Sequence, residues 1–139
     1  METTARQRIL AVDDDPVIRQ ILHSVLSKDY ELVLLSSGEN IRPLLEGIDP
    51  DLVILDVSMP AITGFDLCRS IRSMDAYMDL PIIFLSGHYE DRDVLQGVRS
   101  GADYYMAKPF HSHELRRVVN ACLNGKIRAL YKTVNVRGF

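Results

Sequence analysis

What most constrains this chain is a fivefold alternation of short, unbroken apolar runs with segments of helical period. The runs are Ile9–Val12, Leu32–Leu35, Leu52–Leu55, Ile82–Leu85 and Tyr104–Ala107. None alternates polar with apolar, so each predicts a strand covered on both faces, as in a parallel sheet. Between them, apolar residues recur three and four apart. Val17, Ile18, Ile21, Leu22, Val25 and Leu26 do so behind Asp15-Pro16, an N-cap with proline at the first helical position. A weaker helix is expected over 39–46, behind Ser36-Ser37-Gly38, and a third around Phe65, Leu67, Cys68 and Ile71. The segment 91–100 predicts a fourth, stopped by Gly101, and a fifth begins near Ser112. Five β-α units in this order predict an α/β fold. Its five-stranded parallel sheet is doubly wound, and right-handed crossovers put helices on both faces.

Bulk properties narrow the class. A length of 139 residues suits one domain. With 47% hydrophobic and 25% charged residues, the chain is neither disordered nor a coiled coil. A net charge of −3 gives no reason to expect direct nucleic-acid binding by this domain. Cys68 and Cys122 stand apart with no CxxC pattern and read as small buried hydrophobes in a reducing compartment. The first residues, Met1 to Arg6, lack the apolar stretch of a signal peptide, and no apolar run nears the ~18 residues that span a bilayer. A cytoplasmic protein without membrane contact is expected.

The chemically active residues collect at strand ends. The first run ends in Asp13 and Asp14, the third in Asp56, the fourth in Ser86 and the fifth in Lys108. In an open parallel sheet the carboxyl ends of the strands share one edge, and ligands bind there at the switch point of strand order. Carboxylates gathered at such an edge repel one another and call for a cation, and oxygen ligands suit Mg²⁺. A carboxylate oxygen is also a nucleophile toward phosphorus, and a metal ion and a lysine can neutralise the charge that develops.

Four segments, met in order between Ile9 and Leu123, resemble bacterial response-regulator receiver domains. Ile9-Leu10-Ala11-Val12-Asp13-Asp14-Asp15 looks like their first strand. Asp51 to Asp56, with Met59-Pro60 and Gly64, looks like the strand and loop around their phosphorylated aspartate. Ile83 to Gly87 is similar to the hydroxyl-bearing strand, and Gly101 to Phe110 to the lysine strand. The resemblance implies the flavodoxin-like strand order 2-1-3-4-5. It also implies a binding switch rather than an enzyme, with only self-catalysed phosphorylation and dephosphorylation. Asp56 would accept a phosphoryl group from a sensor histidine kinase, a phosphotransfer protein or a small acyl phosphate. Asp14, Asp56 and the backbone carbonyl of Ser58 would bind Mg²⁺ directly, and Asp13 through a water. Lys108 would pair with the phosphoryl oxygens and Ser86 would bond to one. Tyr105 occupies the switch aromatic position, Ser58 and His88 the lifetime-modulating ones. The Lys108-Pro109 bond is expected cis. The output surface would be the last two helices and the fifth strand, read by an output domain or protein that the sequence does not name.

Some positions depart from that pattern. Thr63 stands where an aspartate usually precedes Gly64, with little expected effect on the chemistry. The family's dimer mode uses an acid at position 104 and an arginine at 118, but this chain has Tyr104 and Val118. A homodimer would therefore have to use other contacts. Asp66, Asp75 and Asp79 are expected as solvated surface acids, and His23, His111 and His113 as surface residues. The segment 1–8 is expected as an N-terminal extension, 9–124 as the receiver domain and 125–139 as a C-terminal helix extension or linker. Leu123-Asn124-Gly125 is a helix stop, yet Ile127, Leu130 and Tyr131 could continue an apolar stripe. A rival reading takes Asp13-Asp14-Asp15-Pro16-Val17 as the DxDxV of haloacid-dehalogenase-like phosphohydrolases, with Asp13 as nucleophile and Asp15 as acid/base. It lacks the second acidic pair those enzymes need and leaves Asp56 without a role.

Overall fold

The computed structural model describes residues 6–88 and 90–125. Its elements alternate strictly: β1 (Arg8–Val12), α1 (Pro16–Leu26), β2 (Glu31–Leu35), α2 (Ile41–Ile48), β3 (Leu52–Asp56), α3 (Gly64–Arg72), β4 (Ile82–Ser86), α4 (Asp91–Ser100), β5 (Tyr104–Ala107) and α5 (Ser112–Leu123). A single 3₁₀ turn, Asp75–Tyr77, interrupts the connection from α3 to β4. The strands form one sheet in the order β2-β1-β3-β4-β5, and every neighbouring pair is parallel. This is the predicted doubly wound α/β fold, with its switch point between β1 and β3.

Two cores follow from the pleat, because successive strand residues point to opposite faces. Leu10, Val12, Val53, Leu55, Ile82 and Phe84 face α2 and α3 with Leu45, Leu67 and Ile71. Ile9, Ala11, Leu52, Ile54, Ile83 and Leu85 face α1 and α5 with Leu22, Leu26, Leu115 and Val119. The unbroken apolar runs thus serve both sides at once. Fully burying one such side chain contributes about 1.5–3 kcal/mol, so the central strands β1, β3 and β4 are the best-anchored part of the chain.

The start signals act as the sequence implies. Asp15 caps α1, its side chain accepting from the Val17 N–H, with Pro16 first in the helix. Gly101 ends α4 in the left-handed region at φ 102°. Helix α2 begins at Ile41, two residues later than expected, because Asn40 turns the chain at φ 60°. The first two strands start one residue early, at Arg8 and Glu31, so Arg8 belongs to the sheet rather than to an N-terminal extension. Asp66 is exposed, as expected, and it also has a structural role. With Thr63 it forms a reciprocal cap at the start of α3, and its carboxylate also meets Arg69 at 2.6 Å. Both cysteines are free and buried, and burial pushes the Cys68 thiol up to about 11 and Cys122 to about 12. Neither is a nucleophile at neutral pH. Among the described residues no helix is long and apolar enough to cross a membrane. The proposed continuation at Ile127, Leu130 and Tyr131 lies outside the described residues.

Candidate functional site

Strands β1 and β3 are neighbours in register, with Val12 opposite Leu55. Their carboxyl ends therefore deliver Asp13 and Asp56 to the same edge, one on each side of the switch point. Strand β5 ends two positions away and delivers Lys108, whose N–H donates to the Ser86 carbonyl at the end of β4 at 2.7 Å. The Lys108-Pro109 bond is cis, as expected.

The side chains converge. Lys108 Nζ lies 2.9 Å from Asp13 Oδ2 and 3.2 Å from Asp56 Oδ1. Carboxylate oxygens of Asp13, Asp14 and Asp56 all lie within 4.8 Å of one another. Asp13 is 1% exposed and Asp56 4%, while Asp14 faces solvent. Two buried carboxylates thus share one ammonium, and a third, open to water, lies beside them.

That imbalance decides the electrostatics. Burial first, and then repulsion from Asp13, raise the Asp56 carboxyl from an ordinary 3.8 to about 6, against the pull of Lys108. At Lys108 burial works to lower the pKa, but the bond to Asp13 and the attraction of both carboxylates outweigh it and hold the ammonium above its ordinary value. The pair does not cancel as an isolated ion pair would, because one cation answers two buried anions. A divalent cation at the three carboxylates would correct the charge, and an all-oxygen donor set open to water on the Asp14 side fits Mg²⁺.

Backbone groups hold the acids in position. The Asp15 N–H donates to Asp13 Oδ1 at 2.9 Å, and Arg19 Nη1 donates to the Asp13 carbonyl at 2.8 Å. The Ser58 N–H reaches Asp56 Oδ1 at 3.3 Å. Gly64 lies against the end of β3, where an added Cβ would sit 2.3 Å from the Asp56 carbonyl oxygen. Only glycine permits that approach, and the Gly64 N–H closes the loop on the Val57 carbonyl at 3.0 Å. Ser86 is buried, and its Oγ accepts from the His88 N–H at 2.9 Å. The Tyr105 hydroxyl donates to the His88 carbonyl and also meets the Ser86 side chain. The His88 and Ser58 residues are exposed at the rim, and His23, His111 and His113 stay on the surface. Asp15 is occupied as a helix cap, so the phosphohydrolase reading draws no support for its acid/base.

The family described as the response regulator receiver domain matches residues 9–120. The chain belongs to the response-regulator receiver family. It is the receiver domain of a two-component response regulator, a signalling module rather than a classical enzyme. The receiver domain is 39% identical over 121 residues to the DNA-binding response regulator MtrA of Mycolicibacterium smegmatis, covering 86% of this chain and 52% of that protein. The chain spans about half the length of the curated relatives it matches. Its fold is shared with a putative response regulator from Chloroflexus aurantiacus at a TM-score of 0.81 and 33% identity, over 86% of this chain and 98% of that one. A second likeness is the receiver domain of sensor histidine kinase PA1611 from Pseudomonas aeruginosa, solved with magnesium in its active-site cleft. It has a TM-score of 0.79 and 28% identity, over 86% of this chain and 99% of that one.

Two features of the receiver domain escaped the sequence reading. The Thr63–Asp66 cap was signalled by its T-x-x-D spacing. The contacts of Arg19 and Tyr105 with backbone carbonyls had no local signal. Val118 is fully buried in the α5 core.

Proposed function

We propose that Asp56 is the phosphoryl acceptor of this receiver domain and that its modification switches the face formed by α4, β5 and α5. The observation that supports this most is the shared, charge-deficient cluster of Asp13, Asp14, Asp56 and Lys108 at one sheet edge. A carboxylate oxygen of Asp56 attacks phosphorus, the bond from phosphorus to the donor nitrogen or acyl oxygen breaks, and an acyl phosphate forms. Lys108 exchanges its contact with Asp56 for one with a phosphoryl oxygen, and Ser86 turns its hydroxyl toward another. Asp14 and Asp56, with the Ser58 carbonyl, would hold Mg²⁺ directly and Asp13 through a water, and the ion would neutralise charge on the transferring group. Ser58 and His88, at the rim, set how readily water reaches the acyl phosphate and so tune its lifetime. Tyr105 is the residue that reports the change to the surface.

The donor is a sensor histidine kinase or a phosphotransfer protein in the cytoplasm. The receiver unit spans 8–124, since Arg8 already belongs to β1, with 1–7 and 125–139 flanking it, and an output domain or partner outside this unit reads the switched face. The DNA-binding output named for MtrA is one such domain. Incubation with acetyl phosphate and Mg²⁺, followed by peptide mass mapping, tests the reading. A phosphoryl group on Asp56, absent in Asp56→Asn, supports it. Label on Asp13, or steady turnover of an aryl phosphate, sinks it.

A further inference from the structure

Phe65, Phe84 and Tyr105 stand in a row beneath the sheet face that carries α3 and α4. The Phe65 and Phe84 rings meet edge to face at 5.2 Å with an interplanar angle of 84°. Phe84 and Tyr105 do the same at 6.0 Å and 71°. Both separations lie in the range where ring quadrupoles favour the edge-to-face arrangement. Phe84 is fully buried and Phe65 nearly so, so neither ring can move without displacing its neighbour.

Each end of this row is seated on something specific. Phe65 follows Gly64, whose backbone rests on the Asp56 carbonyl. Tyr105 lies in a slot on α4 that exists because residue 97 has no side chain. A Cβ at Gly97 would come within 2.9 Å of Tyr105 Cδ2 and 3.2 Å of Phe84 Cδ2. Glycine inside a helix costs roughly 1 kcal/mol relative to alanine, and here the gap it leaves is filled by two rings. Apart from Ser100, Gly97 is the buried residue of α4 among those described, so the helix takes its seat on the sheet largely through these rings. At its far end the Tyr105 hydroxyl bonds the His88 carbonyl, on the segment that leads into α4.

From this geometry we infer that the Phe65–Phe84–Tyr105 row, held in the Gly97 slot, mechanically couples the loop after Asp56 to helix α4. It is a route separate from the hydroxyl of Ser86. A shift of the β3–α3 loop moves Phe65, Phe65 pushes the edge of Phe84, and Phe84 moves the Tyr105 ring against α4. That Asp56 is what moves the loop rests on the proposed function, whereas the coupling itself is a property of the unmodified chain.

The test therefore needs no phosphorylation. The protein is labelled with 3-fluorotyrosine, and the Tyr105 resonance is identified by its loss in Tyr105→Phe. Phe65→Leu is expected to shift that resonance and the α4 amides in the unmodified protein. In a Phe84→Leu background the same Phe65 substitution is expected to leave both unshifted, as a coupling through Phe84 requires. Phe84→Met, which fills similar space without a ring, serves if the leucine variant loses the amide pattern of β1. From the other end, Gly97→Ala is expected to move the Phe65 ring protons, since coupling is reciprocal. A Tyr105 resonance indifferent to Phe65, or equally responsive with and without the Phe84 ring, overturns the inference. So do Phe65 protons that ignore Gly97→Ala. Failure of acetyl phosphate to label Asp56 would instead sink the proposed function and leave this cycle readable.

Discussion

Two buried ion pairs occupy opposite ends of the same sheet, and they are built differently. At the amino-terminal edge Arg72 meets Asp103 at 3.0 Å, with side chains 15% and 2% exposed. Its guanidinium also donates to the carbonyls of Gly101 at 2.9 Å, Tyr77 at 3.0 Å and Leu80 at 2.6 Å. Asp103 in turn accepts from the Ile82 N–H at 2.9 Å. One positive charge answers one negative, and the guanidinium fork is filled by fixed acceptors. At the carboxyl-terminal edge one ammonium serves two buried carboxylates, with a third beside them. The balanced pair ties α3, the 3₁₀ turn, β4 and β5 into one body. The unbalanced cluster retains electrostatic energy that a cation can release. Burial is similar at the two ends, so the ratio of charges separates scaffold from site.

Breaking the balanced pair has the largest effect. Arg72→Ala removes the guanidinium that meets buried Asp103 at 3.0 Å and should lower the unfolding free energy by about 3–5 kcal/mol, measured by urea denaturation. A loss as small as that of an exposed pair would put the contrast between the two ends in doubt.

The unbalanced end predicts a pH signature instead. Folded Asp56 keeps its proton up to about pH 6, whereas the unfolded chain releases it near 3.8. Between those values the folded state binds more protons, so this group's contribution is full below the lower value and is lost as pH rises through the upper one. In Mg²⁺-free buffer the slope should approach about 1.4 kcal/mol per pH unit at most. Asp56→Asn should flatten it, and a curve unchanged by that substitution would show that the excess charge is not felt at Asp56.

Gly64→Ala sharpens the comparison at one atom. Its Cβ would collide with the Asp56 carbonyl, and forced overpacking of this kind costs about 1–3 kcal/mol. Loss of Mg²⁺ affinity, followed by isothermal titration, should accompany the loss of stability. The smallest effect belongs to the α3 cap. Thr63→Ala removes one half of a reciprocal cap and should cost about 1 kcal/mol by thermal denaturation, with Mg²⁺ affinity unchanged.

Much of this was legible before any coordinates. Unbroken apolar runs such as Leu52–Leu55 mark strands covered on both faces, and Asp15-Pro16 and Gly101 mark helix ends, because these signals act within a few residues. The types of group at strand ends were legible for the same reason, since Asp13, Asp56 and Lys108 each close an apolar run. Asp66 is the exposed acid expected, though its cap with Thr63 was not drawn from the spacing, and the start of α2 was misjudged, because a left-handed Asn40 leaves no periodic trace.

The sequence by itself therefore determined the elements, their order and the chemistry carried at their ends. Only the tertiary structure decided that Lys108 spans 95 positions to reach Asp13, that Arg72 answers Asp103, and that three rings stand in a row, two of them in the Gly97 slot. Periodicity and capping are short-range effects written into neighbouring residues. Which distant charges and rings meet depends on strand order and on close packing, and those are properties of the folded whole.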